Sequence, residues 1–298
     1  MTCDLFPGFR SHWLDTEAGR IFARSGGEGP PLVLLHGFPQ THAMWHRIAP
    51  ALAKTHEVFC LDLRGYGWSS VPPGDGGRNA YSKRVMGRDV VSVMEQLGHV
   101  RFALVGHDRG ARVAYRLALD APGRVERLAL LDIIPTIKVW RRIEAGLQPA
   151  AHWDFLARPA PQPEQEIGRD PLPYFDGLLR DWSGPKSLDV FDPAALESYR
   201  QSCNEPNRIH AFCEDYRAGK TTDRSQDESD LAAGKRIGCP ALLLYSRTYL
   251  VRPGAEEPPE AWRRSFAPQI EAAVLDCGHF LAEEKPAETL AALADFLR

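Results

Sequence analysis

The pentapeptide Gly106-His107-Asp108-Arg109-Gly110 follows a short apolar run, Phe102 to Val105, and precedes a stretch with helical spacing. Small residues on both sides of a central acid suit a tight strand-to-helix turn that pushes the middle side chain out at the strand's C-terminal edge. The new helix aims its positive N-terminus at whatever sits there. An ordinary turn with a capping Asp would look the same, so the pentapeptide alone leaves the two even. The residue type adds chemistry. A serine that attacked saturated carbon would leave an ether, which water cannot easily cleave. A carboxylate leaves an ester, whose carbonyl water can attack to restore the acid. Asp108 therefore predicts displacement at tetrahedral carbon, at a carbon–halogen bond or an epoxide, rather than ordinary ester hydrolysis.

Ester hydrolysis needs a base. His279 lies in Asp276-Cys277-Gly278-His279-Phe280, after the last apolar run and before the last helical stretch. A neutral imidazole there can activate water. It needs a carboxylate to fix its tautomer and steady its charge. The loop from Ser246 to Glu257 offers only the distant Glu256 and Glu257, whereas the run Leu128 to Leu131 ends in Asp132, so Asp132 is the assigned partner. The negative charge that develops on an Asp108 oxygen calls for two backbone N–H donors. Arg109, next after the nucleophile, supplies one, and Phe38 in His36-Gly37-Phe38-Pro39 the other.

Arg109 and Arg112 lie close to one helical turn apart and can share a face. Guanidinium groups in the centre of a fold demand an anion. That anion is either a core acid, Asp108 included, or the carboxylate of a substrate held in the forked geometry arginine favours. A bound carboxylate would bring its neighbouring α-carbon against Asp108. Arg116, a turn further, reads as a structural ion pair. His152, Trp153, Trp182 and Tyr216 carry ring N–H or O–H donors that suit a departing halide, and each equally suits a hydrophobic core.

These side chains need a scaffold. Pro31–Leu35, Glu57–Leu61, Phe102–Val105, Leu128–Leu131, Pro240–Tyr245 and Ile270–Leu275 read as strands, nearly continuous in apolar residues as strands covered on both faces are. Helical stretches at Tyr81–Leu97, Arg109–Leu119, Pro259–Phe266 and Pro286–Leu297 alternate with them, which predicts an α/β fold with a mainly parallel sheet and helices on both faces. From Thr136 to about Asp230 the rhythm stops. Prolines from Pro149 to Pro206 break short helical segments such as Pro193–Tyr199 and Asn207–Tyr216, as expected of an inserted helical cap. The polar segment Lys220–Asp230 reads as a surface loop. The resulting division is 1–135 core, 136–230 cap and 231–298 core.

Length and charge narrow the classes. A chain of 298 residues, 25% charged and 44% hydrophobic, can build a full core without staples. Lys plus Arg number 36 against 39 Asp plus Glu, a net charge of −3 that argues against nucleic-acid or polybasic membrane partners. Six scattered cysteines (Cys3, Cys60, Cys203, Cys213, Cys239 and Cys277) show no C-x-x-C spacing, so neither a metal site nor a disulfide framework is expected. Those thiols, with no signal peptide visible and no transmembrane run, point to a cytoplasmic protein.

The chain closely resembles the fluoroacetate (haloacetate) dehalogenases of the α/β-hydrolase superfamily over nearly its full length. The likeness is densest in His36–His46 (HGFPQTHAMWH), Gly65–Ser69 (GYGWS), Gly106–Leu119 (GHDRGARVAYRLAL), Gly123–Pro135 (GRVERLALLDIIP), His152-Trp153, Glu214–Gly219 (EDYRAG) and Gly278–Leu281 (GHFL). The Asp-Arg-Gly-Ala-Arg run separates this family from haloalkane dehalogenases and epoxide hydrolases, which usually carry Trp after the nucleophile. The resemblance implies an α/β-hydrolase fold with Asp108 as nucleophile, His279 as base and Asp132 as its acid. It implies that Arg109 and Arg112 bind the carboxylate, that His152, Trp153 and Tyr216 cradle the halide, and that Trp182 and Phe38 line the pocket. It further implies a cofactor-free homodimer that acts on a short 2-haloacid, fluoroacetate to glycolate and fluoride as the leading case. Tyr245–Arg252 (YSRTYLVR) departs from the smaller, Gly-containing loop of the family, which leaves the pocket wall and substrate size open there. An epoxide hydrolase or haloalkane dehalogenase would use the same Asp nucleophile, although an epoxide hydrolase would want two cap tyrosines and an uncharged neighbour at 109. A non-catalytic ligand-binding hydrolase fold would not need Asp108, Asp132 and His279 together.

Overall fold

Five of the six apolar runs assemble the centre of one eight-stranded sheet in the order β1-β2-β4-β3-β5-β6-β7-β8, and the sixth, Ile270–Leu275, forms its largely exposed edge in place of a strand covered on both faces. The strands are β1 Arg10–Thr16, β2 Gly19–Gly26, β3 Pro31–Leu35, β4 Glu57–Leu61, β5 Phe102–His107, β6 Val125–Leu131, β7 Ala241–Ser246 and β8 Glu271–Leu275. From β4 to β8 all neighbours are parallel, and β1 and β2 join the β4 edge antiparallel. Leu34, Leu104, Val105, Leu130 and Leu243 are fully buried, as strands covered by helices on both faces require. This computed structural model describes residues 4–17, 19–76, 79–147 and 151–298; Cys3 and Pro149 lie outside them.

The helices are α1 Ala49–Leu52, α2 Lys83–Gln96, α3 Asp108–Asp120, α4 Thr136–Glu144, α5 Ala151–Leu156, α6 Gln162–Ile167, α7 Pro171–Trp182, α8 Pro193–Cys203, α9 Pro206–Ala218, α10 Arg224–Ala232, α11 Pro258–Arg263, α12 Leu281–Glu284 and α13 Pro286–Phe296. Helices α4 to α10 all fall between β6 and β7. Pro171, Pro193, Pro206, Pro258 and Pro286 each start a helix, where a missing N–H costs nothing. Every residue of α3 from Asp108 to Leu119 is buried, so this helix forms the centre of the molecule.

Two expectations change. The hairpin β1–β2 has no counterpart in the sequence reading, because β1 is half exposed and carries charged residues in place of an apolar run. The segment Lys220–Asp230 is not a surface loop: Gly219–Asp223 forms a wide helical turn that runs into α10. Two of its acids turn inward. Asp223 accepts the Lys83 N–H at 2.8 Å, and Asp227 accepts the Tyr115 hydroxyl at 2.9 Å and the Ile137 N–H at 3.1 Å. Polar residues bury where they satisfy buried donors. Arg116 meets Asp120 at 3.0 Å and also pairs with Asp230, the structural ion pair expected of it.

Candidate active site

The C-terminal ends of β3, β5, β6 and β7 converge on Asp108. β5 runs to His107, and Asp108 turns into α3 with φ +44°, a left-handed conformation that non-glycine residues seldom adopt. A Cβ on Gly106 would lie 2.6 Å from the Ala111 backbone nitrogen, and one on Gly110 2.5 Å from the Leu35 carbonyl oxygen. The glycines therefore let strand, helix and the neighbouring β3 close tightly around the buried acid.

His279 Nδ1 lies 2.7 Å from Asp132 Oδ2, and Asp132 Oδ1 accepts the Ser246 N–H at 2.7 Å. Asp132 is itself left-handed (φ +57°) just past β6. One alternative acid is engaged elsewhere: Glu256 pairs with Lys138 at 2.9 Å. His279 Nε2 lies 3.8 Å from Asp108 Oδ2 and is buried without a hydrogen-bond partner. The Phe38 N–H donates to Asp108 Oδ1 at 3.0 Å. The Arg109 N–H sits in the first turn of α3 and makes no hydrogen bond to that carboxylate.

Both guanidinium groups are buried, but they are held differently. Arg109 donates to Asp215, from Nε at 3.1 Å to Oδ1 and from Nη2 at 2.7 Å to the backbone carbonyl, while its Nη1 is buried without a partner. Asp215 also takes the Lys83 ammonium and the Tyr66 hydroxyl, the latter at 2.7 Å. Arg112 donates from Nη1 to the Ile134 carbonyl at 3.1 Å and to the Thr136 hydroxyl at 3.0 Å, its Nε is unpartnered, and it forms no ion pair among the described residues. The Trp153 ring covers both, 5.2 Å from the Arg109 guanidinium carbon and 4.7 Å from that of Arg112.

The aromatic donors surround the same space. Tyr216 lies 5.2 Å from Phe38 and 5.5 Å from Trp153 by ring centroids. His152 is 4.6 Å from Trp182 and 5.9 Å from Tyr216, and Trp182 is 5.7 Å from His279. All sequence-named residues thus fall within one cluster. The sequence reading missed Asp215, which fixes Arg109, Lys83, which pairs with Asp215, and Tyr249, whose ring lies 4.1 Å from His279 at 32°. The unusual loop Tyr245–Arg252 was the available signal for Tyr249.

Electrostatics favour an ionised Asp108 beside a neutral base. Burial raises the Asp108 pKa, but the charges that His279 and His107 carry once protonated, with those of Arg109 and Arg112, outweigh it and bring the carboxyl below its usual value. Burial pushes the His279 imidazole down to about 4 against the pull of Asp108, which leaves it uncharged near neutrality. Burial likewise opposes charge on Asp132, whose Ser246 bond works the other way. Burial and the Asp108 charge push the Tyr216 and Tyr249 phenols well up, so both stay protonated.

Acid stability follows from the same burial. His36, His107 and His279 are each pushed by burial from 6.5 down to about 4. The unfolded chain takes up these protons below pH 6.5 and the folded chain does not until about pH 4, so stability falls with pH across that window. At pH 5 the loss is about 2 kcal/mol per ring. Urea unfolding at pH 7 and pH 5 measures it, and equal midpoints would contradict neutral burial.

Residues 30–286 match the family model of the α/β hydrolase fold. The chain is 43% identical over 294 residues to a fluoroacetate dehalogenase of Burkholderia sp., across 98% of this chain and 95% of that one. It is 32% identical to a soluble epoxide hydrolase of Corynebacterium sp. (strain C12), across 95% and 91%. A solved structure of a candidate α/β hydrolase from Nostoc sp. PCC 7120 superposes with a TM-score of 0.91 at 46% identity, across 97% of this chain and 98% of that one. The chain belongs to the α/β-hydrolase fold family, in the group that includes the Burkholderia fluoroacetate dehalogenase.

Proposed function

We propose that this hydrolase removes halide from a short 2-haloacid, with fluoroacetate to glycolate and fluoride as the leading case. An Asp108 oxygen attacks the α-carbon as the carbon–halogen bond breaks, which leaves an aspartyl ester and a halide ion. The Arg109 Nη1 and the Arg112 guanidinium hold the substrate carboxylate. His152, Trp153 and Tyr216 offer donors to the halide, and Trp182, Phe38 and Tyr249 wall the pocket. Water then attacks the Asp108 carbonyl carbon and gives a proton to His279 Nε2, while Asp132 steadies the imidazolium. The Phe38 and Arg109 N–H groups take the charge on the ester oxygen. As the acyl–oxygen bond breaks, that proton passes to the departing alkoxide, and the Asp108 acid left behind releases the second water proton to solvent, which restores the carboxylate.

The observation that carries this reading is Arg112, a cation only 3% exposed and without an acidic partner among the described residues, beside a carboxylate at a nucleophile turn. A lone buried guanidinium is costly, and an anionic ligand relieves the cost. An epoxide or haloalkane brings no such charge. Residues 136–230 act here as a cap over a core made of 1–135 and 231–298. The cofactor-free, cytoplasmic homodimer implied by the resemblance belongs to the same proposal. Among the described residues no helix is long and apolar enough to cross a membrane.

Halide release from fluoro-, chloro- and bromoacetate, compared with ethyl halides, tests the proposal. Haloacetates should be preferred on the order of 10³-fold or more, because a site with buried polar groups rejects an analogue that leaves them unpaired. Equal rates on acids and alkyl halides would contradict it.

A further inference from the structure

His279 sits on a loop whose backbone is tied down at consecutive points. Its N–H donates to the Trp182 carbonyl at 2.9 Å, and its carbonyl lies 2.8 Å from His107 Nε2. The residues on either side are both held by Glu284. The Gly278 N–H donates to Glu284 Oε2 at 2.9 Å, and the Phe280 N–H to Oε1 at 3.0 Å. The same Oε2 accepts a third N–H, from Gly184 at 2.8 Å.

Gly184 follows directly on Trp182-Ser183 at the end of α7. The two backbones cross so closely that a Cβ on Gly278 would lie 2.5 Å from the Trp182 carbonyl oxygen. One carboxylate thus joins the loop that carries the base to the chain that carries Trp182, whose ring packs edge-on to His279 at 5.7 Å and 89°. A carboxylate with several backbone N–H donors is a strong, charge-assisted anchor.

We propose that Glu284 is a positioning residue for the second half-reaction: it sets the backbone on both sides of His279 and locks it to the Trp182 turn. The proposal rests on the two-step reading above. Glu284 touches neither Asp108 nor the guanidinium groups, so it acts on ester hydrolysis, where His279 works, and not on halide displacement.

Rapid-quench kinetics with mass spectrometry on Glu284→Ala and Glu284→Gln tests this. In Glu284→Ala halide should appear at close to the parental rate, while decay of the aspartyl ester slows about 10- to 100-fold, the usual cost of a small misplacement. Both variants remove the charge, but glutamine keeps a carbonyl that can accept the Gly278 and Gly184 N–H groups. Its NH2 would face the Phe280 N–H, a second donor, so that tie is lost and Glu284→Gln should recover only part of the ester decay rate. Equal slowing of both steps in Glu284→Ala, unchanged ester decay, or a Glu284→Gln as slow as the alanine variant would each overturn the proposal. If Glu284→Ala does not fold, Glu284→Gln with parental halide appearance and measurably slower ester decay supports it, and equal slowing of both steps overturns it. The parent runs alongside: no halide and no ester from the parent would sink the two-step reading, whereas a normal parent confines any failure to Glu284.

Discussion

His279→Asn should consume one molecule of substrate per chain and then stop. Displacement needs only the Asp108 carboxylate and a bound α-carbon, and it requires no proton transfer. Asparagine cannot accept a proton from water, so the ester should persist. Its side-chain N–H can still reach toward Asp132, which limits damage to the fold. Halide should therefore rise to one equivalent at close to the parental rate, and the intact protein should gain the mass of a carboxymethyl group that maps to Asp108. Steady-state turnover should fall by about 10³ to 10⁴, the scale of losing a general base. Turnover within tenfold of the parent, or no adduct after a full equivalent of halide, would show that His279 is not the base.

Arg112→Leu should separate activity from stability. The guanidinium is buried, forms no ion pair among the described residues and keeps an unpartnered Nε, so removing it also removes a charge that only the field of Asp108 and the Trp153 ring offset. The main loss to the fold is the pair of bonds to the Ile134 carbonyl and the Thr136 hydroxyl, on the order of 1 kcal/mol each. The unfolding free energy should therefore change by no more than about 2 kcal/mol in either direction. The loss of a charge-assisted grip on the substrate carboxylate should lower kcat/KM by about 10³. A variant that unfolds outright but acts normally when folded would make Arg112 a structural residue.

The elbow was legible because its demands are local. Gly106 and Gly110 must be small, Asp108 must stand between strand and helix, and the runs on β3 to β7 must be apolar on both faces. His279 and Asp132 were legible for a related reason, since Asp132 directly follows one apolar run and His279 comes four residues after another, both at the same edge of the sheet. Hairpin β1–β2 was not, because an edge strand with one exposed face carries no continuous run. Lys220–Asp230 was misread because Asp223 and Asp227 look like solvent-facing acids until Lys83, Tyr115 and Ile137 are brought to them by distant chain. Asp215 was hidden in the same way, since its partners Tyr66, Lys83 and Arg109 lie 149, 132 and 106 positions away. Whether Arg109 faces a ligand or a core acid was left open by its sequence. Asp215 supplies the core acid, and the buried, unpartnered Nη1 leaves one edge for the substrate.

The central claim is that Asp108 becomes an ester of the substrate carbon. A single turnover in heavy-oxygen water, followed by mass spectrometry of both product and protein, tests it most directly. Water that attacks the Asp108 carbonyl leaves its heavy oxygen in the Asp108 side chain, and the first hydroxyacid released carries ordinary oxygen taken from the protein. Heavy oxygen in that first product, with Asp108 unlabelled, would mean that water displaces the halide directly, and the covalent route would be wrong.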